Sequence, residues 1–264
     1  TKSTAYVQEY LENFLTGASI PSADYSYQLT KKIMQELTLA EVNAVAKTMV
    51  TKSNQIIVVQ APEKDAKDLP TETQLIAAVK NAGNGVTPYI DNTVNKPLIA
   101  KIPTAGTITS ETKNDKIGIT SLVLSNGVKV ILKPTDFKND QVIFNSFGKG
   151  GTSLASNEEL KSAENANVVA QSGVGDFNPS QLTKYLAGKT ANAGSYIDDE
   201  YQGFSGSSSP KDLETAFQLI YAYATNPRKD AEIFNKNISD MRVIIGNKNS
   251  SPTSVFADTV QAVL

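Results

Sequence analysis

The sequence predicts an α+β protein, and three observations carry this prediction. The first 49 residues have apolar side chains at helical spacing, residues 120–147 hold three short β-patterned runs, and helical spacing resumes at about residue 156 around one strand pair. The predicted order from residue 117 is β-β-β-α-α-β-β-α-α. Strands and helices grouped in this way are typical of an α+β domain.

Residues 1–82 are predicted to be mostly helical, with one strand. Helices are expected at 4–15, 24–35, 38–49 and 70–79. The third begins at a capping box, since Thr38 can accept a hydrogen bond from the backbone while Glu41 reaches back. The β-branched run at 54–60 predicts a buried strand. One strand does not make a sheet, so its partners must come from chain outside this sequence or from downstream.

Residues 83–115 differ in character from the residues on either side. They contain scattered Gly, Pro, Thr and Asn and no sustained apolar period, which predicts an extended Gly/Pro-rich linker. Short pieces at 101–103 and 106–109 are suited to edge strands.

The predicted α+β domain occupies residues 116–264. Asn126-Gly127 predicts a tight primed turn with positive φ angles, joining two strands between 120 and 134 into a hairpin. Gly173 and Gly175 are expected to end the first helix of the domain. The remaining predicted elements are a strand at 141–147, helices at 156–170 and 180–186, a strand pair within 190–207, and helices at 209–225 and 229–245.

The composition excludes several kinds of chemistry. The 264 residues include no histidine and no cysteine, so the chain cannot build a Ser-His-Asp site, a Cys-His site or a conventional tetrahedral zinc site. Catalysis would have to use carboxylates, Lys, Tyr, Ser, Thr or residues of another chain. The net charge of −2, without a basic stripe, gives nucleic-acid binding little support. No apolar run approaches the roughly 18–20 residues that span a bilayer.

Three local motifs suggest ligand sites, and each has a plainer structural explanation. Gly148-Lys-Gly-Gly151 follows a strand but lacks the spacing of a phosphate loop, so a strand-terminating turn is favoured. Ser172-Gly-Val-Gly175 resembles half of a dinucleotide fingerprint but follows a helix instead of a strand. Asp198-Asp-Glu200 offers consecutive carboxylates to a hard cation such as Ca²⁺, although three ligands are too few, and a solvated turn is favoured.

A family resemblance follows from motifs that occur in a fixed order. Leu124-Ser-Asn-Gly-Val-Lys-Val-Ile-Leu-Lys-Pro134, the strand to Phe147 and Gly148-Lys-Gly-Gly151 resemble the opening of a domain of the insulinase/pitrilysin family of zinc peptidases. Later segments follow the order of that domain, and residues 1–82 resemble the tail of a preceding domain of the family. These later segments begin at Ser172, Leu182, Tyr196, Asp212 and Asn226. The resemblance covers nearly the whole chain.

The resemblance implies a fold and a division of the chain. The expected fold is a metalloenzyme-like αβ-roll, as in LuxS and the processing peptidases, in which helices pack on an antiparallel sheet. The C-terminal part of a preceding domain is expected at 1–82, the linker at 83–115, and an inactive, truncated peptidase-like domain at 116–264.

The resemblance also places the family's zinc motif, H-x-x-E-H, on a helix of this chain. The first histidine would fall at Glu164, the glutamate at Asn167 and the second histidine at Val168. Met241, Val243 and Ile244 stand near the third ligand, where Asp240 is the nearest carboxylate. We therefore expect no catalytic, cofactor-binding or metal-binding residue in this chain. Zinc is expected in the catalytic half of the parent protein.

The function implied by the resemblance is structural. The chain is expected to be the middle of a two-half bacterial zinc metalloendopeptidase, with the inactive second half shaping the chamber around a peptide substrate. Alone it is expected to be inactive, with the missing catalytic half as its partner and the periplasm as its location. The alternative is a standalone, zinc-less family member that acts as an assembly or binding subunit. A carbohydrate- or surface-binding module is a third and weaker option, based on the Ser/Thr/Asn-rich surface.

Overall fold

The computed structural model describes residues 3–49, 51, 53–90 and 94–263. The chain contains two compact units, Thr1–Pro88 and Tyr89–Leu264. The boundary between them lies inside the predicted linker.

The described residues of the first unit form four α-helices, α1 at Ser3–Thr16, α2 at Ala23–Glu36, α3 at Leu39–Thr48 and α4 at Glu72–Asn81, and a 3₁₀ helix at Glu63–Asp68. The capping box predicted for α3 is present. The Thr38 N–H donates to Glu41 Oε2 at 2.8 Å, and the Glu41 N–H donates to Thr38 Oγ1 at 3.3 Å. Thr71 and Gln74 form a second capping box at α4. Side-chain caps of this kind explain why these helices begin where they do.

The strand predicted at 54–60 is not present. These residues are described, but they have no assigned helix or strand, and the first unit contains no strand among its described residues. A strand is held by hydrogen bonds to a neighbouring strand, and the described residues of the first unit offer no such neighbour. Ile56 and Val58 are mostly exposed, whereas Ile57 and Val59 are about half covered. Side-chain exposure therefore alternates with the period of two residues that is typical of a strand, although these residues are not part of a sheet.

Apolar side chains of the first unit remain uncovered. None of the described residues of α1–α4 is buried. Tyr6, Tyr10 and Phe14, which lie at helical spacing along α1, are all exposed, and Ile33 and Met34 of α2 are exposed as well. An apolar helix face normally packs against another element.

The second unit begins with a three-stranded antiparallel sheet. Its strand order is β1 (Ile108–Asn114), β2 (Ile119–Leu124) and β3 (Lys129–Leu132). The edge strand β1 lies within the predicted linker. The hairpin turn is at Asn126-Gly127 as predicted, but only Gly127 has a positive φ, of 83°. The Gly127 N–H donates to Leu124 O at 2.8 Å, and the Leu124 N–H donates to Val128 O at 2.9 Å. The turn is therefore a wider one that ends in a single left-handed glycine.

A second antiparallel sheet is centred on β7 (Tyr201–Ser208). It pairs on one side with β6 (Ala191–Ile197), which confirms the predicted strand pair. On its other side lie two strand pieces: β4 (Val142–Asn145) falls within the strand predicted at 141–147, and β5 (Gly148–Lys149) lies just beyond it, in the motif predicted to be a turn. The two pieces stay in line, because the Ser146 N–H between them donates to Phe204 O at 2.7 Å.

The described residues of the second unit also contain six α-helices. They are α5 (Leu160–Glu164), α6 (Asn167–Ala170), α7 (Pro179–Tyr185), α8 (Leu213–Thr225), α9 (Ala231–Asn247) and α10 (Pro252–Val263). Helix α8 lies on β6 and β7. Helix α10 was not predicted from the sequence. The α+β class with antiparallel sheets is confirmed.

The buried core of the second unit is small and lies between α7 and α8. It contains Val174, Phe177, Leu219 and Ala222, and Leu98 of the predicted linker joins it. The rings of Phe177 and Tyr185 pack edge to face at 5.1 Å.

Candidate functional site

The predicted motif positions lie on an interrupted helix, which corrects the single helix predicted at 156–170. Glu164 is the last residue of α5, and Asn167 and Val168 open α6. The break follows from Asn165, whose Nδ2 donates to Lys161 O at 2.8 Å. In a continuous helix this carbonyl oxygen would accept from the backbone N–H of residue 165. Asn competes for backbone hydrogen bonds in this way, which disfavours helix interiors.

The residues at these positions do not fit a zinc ion of the family type. That site needs two imidazoles one helical turn apart and a carboxylate between them to act as general base. Here Glu164 is an exposed carboxylate, Val168 is an aliphatic side chain, and an amide residue, Asn167, stands where the base would be. Valine has no ligand atom, and an amide cannot accept a proton near neutral pH.

Helix α9, where the resemblance places the third ligand, does not supply one. Met241, Val243 and Ile244 are exposed apolar side chains. The carboxylate of Asp240 is paired with Lys236 one turn earlier on the same helix. Within the described residues, no group of three or more Asp and Glu side chains is close enough to hold a metal ion.

The glycine-rich motif that begins at β5 and the acidic turn between β6 and β7 are hydrogen-bonded to each other. The Gly150 N–H donates to Glu200 O at 2.9 Å, the Thr152 N–H to Asp198 O at 2.9 Å, and the Ser153 N–H to Asp199 O at 2.8 Å. These amides are the groups that a phosphate loop would offer to its ligand. Because they already bond to protein carbonyls, the structural explanation of Gly148-Lys-Gly-Gly151 is favoured over a phosphate site.

An anionic cavity of about 530 Å³ lies beside this contact. Glu164 lines it together with all three residues of the acidic turn, so four carboxylate residues border one space. The remaining lining residues are Thr152, Ile197 and Tyr201. Thr152 is buried and its hydroxyl lies 3.4 Å from Asp199 Oδ1. Such a cavity attracts cations. The turn at Asp198-Asp-Glu200 is present as predicted, but nothing in the sequence indicated that Glu164 would border it.

A second cavity of about 260 Å³ lies where α6 meets the start of α9. Val168, the residue to which the resemblance assigns the second histidine, is one of the apolar side chains that line this cavity beside α9. Across it, the backbone N–H of Ile233 and the guanidinium of Arg228 hold the pKa of Asp230 below its ordinary value. Asp230 thereby caps α9 and pairs with Arg228 at 3.2 Å. The sequence-based prediction missed this pair, although the adjacent charges after Asn226-Pro227 were a visible signal.

The motif Ser172-Gly-Val-Gly175 forms a turn that closes the core. Gly173 has a φ of 87°, and a Cβ there would lie 2.2 Å from Phe177 O. The Val174 N–H donates to Phe177 O and the Phe177 N–H donates to Val174 O, both at 2.9 Å. The glycines therefore serve a tight backbone turn, and the motif needs no nucleotide to explain it.

Comparison with known proteins identifies relatives among zinc proteases. No family model matches the chain. It is 25% identical over 264 residues to an Arabidopsis thaliana protein described as a zinc protease PQQL-like, covering 98% of the chain and 25% of the relative. It is 28% identical over 206 residues to the probable zinc protease PqqL of Haemophilus influenzae, covering 75% of the chain and 22% of the relative. The chain thus spans about a quarter of the length of these relatives.

Solved structures of the same kind share the fold. The periplasmic protease PqqL from Escherichia coli matches with a TM-score of 0.54 at 20% identity, over 98% of this chain and 29% of that one. A variant of the ferredoxin protease FusC was solved in complex with Arabidopsis ferredoxin. It matches with a TM-score of 0.56 at 15% identity, over 98% of this chain and 29% of that one. By sequence and by fold, the chain is similar to PqqL-type zinc proteases, which supports its resemblance to the insulinase/pitrilysin family.

Proposed function

We propose that this chain is a non-catalytic segment of a zinc metallopeptidase and that it helps to form the wall of the chamber that holds a peptide substrate. One observation carries the proposal. Glu164, Asn167 and Val168, the positions to which the resemblance assigns the family's zinc motif, lie on a helix that is interrupted between the first and the second of them. The zinc and the residues that activate water then belong to the catalytic half of the parent protein.

Uncovered apolar surface supports a role inside a larger assembly. The aromatic and aliphatic side chains along α1 and α2 are exposed, and the strand-like run at 54–60 has no partner strand among the described residues. Exposed apolar patches of this extent mark interfaces. The proposed partner is the catalytic half of the same polypeptide, whose sheet would receive residues 54–60 as an additional strand.

The location proposed for the parent is the periplasm, because the E. coli PqqL neighbour is a periplasmic protease. None of the helices in the described parts of the chain is long and apolar enough to cross a membrane. The proposed substrate class is peptide or protein, as the names of the relatives indicate.

A peptidase assay on the purified chain tests the first part of the proposal. We expect no cleavage of a set of quenched fluorescent peptides, with or without added zinc. The E. coli PqqL protease, assayed with the same peptides, is the positive control. Cleavage that depends on zinc, is lost with a chelator and co-purifies with this chain would overturn the proposal.

The full reading frame that encodes the chain would distinguish a segment of an active peptidase from a standalone, zinc-less subunit. A sequence encoding H-x-x-E-H upstream of Thr1 in the same frame supports a segment of an active peptidase. A complete frame without that motif would replace it with the zinc-less subunit, which acts by assembly or binding.

A further inference from the structure

Asparagine is followed by glycine at two places in the sequence, Asn84-Gly85 and Asn126-Gly127. Both asparagines are exposed, and the two glycines have positive φ angles of 78° and 83°. In such a dipeptide the backbone nitrogen of glycine can attack the side-chain carbonyl carbon of asparagine, because glycine has no side chain to obstruct the approach. A valine follows the glycine in both cases. The local sequence therefore gives both places the same chemistry, and a difference between them must come from the structure.

The reaction needs only water as a co-reactant. The backbone nitrogen of glycine loses its proton and forms a bond to Cγ of asparagine. The bond from Cγ to the side-chain nitrogen then breaks, and ammonia leaves. Water opens the resulting succinimide ring at one of its two carbonyl carbons, which gives aspartate or isoaspartate. Either product carries a carboxylate where the asparagine carried a neutral amide.

The turn at Asn126-Gly127 holds the atoms that would react. The Gly127 N–H donates to Leu124 O at 2.8 Å, so the nitrogen that must lose its proton is engaged. Asn126 Oδ1 accepts from the Val128 N–H at 3.1 Å, which restrains the side-chain amide. Both bonds would have to break before the nitrogen could reach the side chain freely.

Further hydrogen bonds tie this turn to the chain that leads into β1. The Ser125 N–H donates to Thr107 O at 2.8 Å, and the Thr107 N–H donates to Ser125 Oγ at 3.2 Å. The turn thus belongs to a hydrogen-bonded sheet, and its opening carries the cost of local unfolding at the end of the hairpin.

The turn at Asn84-Gly85 lacks this protection. It follows α4, and the Gly85 N–H donates to none of the described residues. Asn84 Nδ2 donates to Asn81 Oδ1 at 3.2 Å, but both side chains are exposed, so water competes for this bond. A Cβ atom on Gly83 or Gly85 would have no described atom within 4 Å. The reacting atoms are therefore open to solvent and lightly restrained.

We propose that Asn84 is a deamidation site of this protein and that Asn126, with the same following residues, is protected by its hairpin. The modification is the non-enzymatic conversion of an asparagine amide to aspartate and isoaspartate. It places a carboxylate among residues 81–90, which hold no charged side chain, and makes the net charge of −2 more negative. The proposal goes beyond the proposed function and does not depend on it, since neither zinc nor a peptide takes part.

Incubation of the intact, folded chain at mildly alkaline pH tests the proposal. Peptide mapping by mass spectrometry measures the loss of the side-chain amide at Asn84 and at Asn126. A purified isoaspartyl carboxyl methyltransferase with a labelled methyl donor measures the isoaspartate that forms. Because the hairpin must open before Gly127 can react, we expect Asn84 to react roughly ten-fold or more faster than Asn126. Equal rates, or a faster reaction at Asn126, would overturn the proposal.

Unfolding the chain provides the control for sequence context. In denaturing urea the two asparagines should react at rates within about two- to three-fold of each other, because each is followed by glycine and valine. If Asn126 stays roughly ten-fold slower in urea, its hairpin is not the cause and the proposal fails.

Two matched variants assign the change in charge. Glutamine at the asparagine position would have to close a larger ring, so its reaction is much slower. Asn84→Gln should therefore remove most of the acidic species that ion-exchange chromatography resolves after incubation, whereas Asn126→Gln should leave them nearly unchanged. The opposite pattern would assign the modification to the hairpin and overturn the proposal. If Asn126→Gln fails to fold, peptide mapping of the unmodified chain still decides between the two sites.

Discussion

A Cβ atom on Gly151 would lie 2.2 Å from the carbonyl oxygen of Asp198. The two residues are far apart in the sequence, and they meet because the loop after β5 is bonded along the turn between β6 and β7. Gly151 also has a φ of 81°, which L-residues rarely adopt. Both the space and the backbone angle therefore demand glycine.

Gly151→Ala is expected to destabilise the second unit more than Gly188→Ala does. Gly188 has a φ of 77° but no atom within 4 Å of the position that an alanine methyl group would take, so alanine there meets only backbone strain of about 1–2 kcal/mol. At Gly151 the clash with Asp198 adds roughly 1–3 kcal/mol. Urea unfolding of both variants measures the difference. Equal losses would show that the loop does not contact the turn.

Local signals in the sequence predicted several elements correctly. The capping box of Thr38 and Glu41 depends on residues three positions apart, and it is present as predicted. The strand pair β6–β7 likewise follows from alternation on both sides of a polar turn. Such features can be predicted because the groups that make them are neighbours in the chain.

Other features depended on contacts that a local pattern does not contain. Residues 54–60 have the composition of a strand, but a strand exists only with a partner. The predicted helix at 156–170 is interrupted at Asn165, where a side chain takes a backbone acceptor. Docking of Leu98 into the core of the second unit was hidden by the Gly- and Pro-rich composition around it.

The position of the candidate site stays a prediction, and its structure was only partly predictable. The place of the absent zinc motif follows from the family resemblance and from the lack of histidine. The cavity shared by Glu164 and the acidic turn unites residues from separate parts of the sequence, and no spacing rule connects them.

Asp212 is expected to make the second unit less stable in acid. Its carboxylate accepts from Ser209 Oγ at 2.6 Å and from the Thr190 N–H at 2.9 Å, and these bonds hold the pKa of Asp212 below its ordinary value. A carboxyl group with a depressed folded-state pKa stabilises the fold at pH values above its unfolded pKa of about 3.9. This contribution is lost as pH falls through the lower, folded-state pKa.

Thermal unfolding of the Asp212→Asn variant across this pH range tests the expectation. The difference in Tm between the variant and the unmodified chain should be largest near neutral pH and should shrink below about pH 4. Asp140→Asn is the control, because Asp140 is exposed and its ion pair with Lys138 spans 3.9 Å. A Tm difference for Asp212→Asn that is constant with pH would contradict the assigned hydrogen bonds.

Phe177→Ala is expected to cost about 3–5 kcal/mol of unfolding free energy. Phe177 is 1% exposed and lies in a core with few other members, so neighbouring side chains cannot fill the cavity left by its ring. The matched control is Phe137→Ala, at a position 91% exposed, for which we expect a change within about 0.5 kcal/mol. Chemical denaturation of both variants measures the two values. Similar losses for the two would mean that the core lies elsewhere.

Restoring the motif residues is expected not to restore zinc binding. The triple variant Glu164→His, Asn167→Glu and Val168→His supplies the family's side chains, but positions 164 and 168 are separated by the break at Asn165. In the family's motif, a continuous helical turn holds the two imidazoles on one face so that both reach one zinc ion. Asp240, the carboxylate nearest in sequence to the expected third ligand, is engaged by Lys236. Dialysis against zinc followed by metal analysis should find the triple variant no richer in zinc than the unmodified chain. One zinc retained per chain would show that these residues lie close enough to form the site and that only their chemistry was lost.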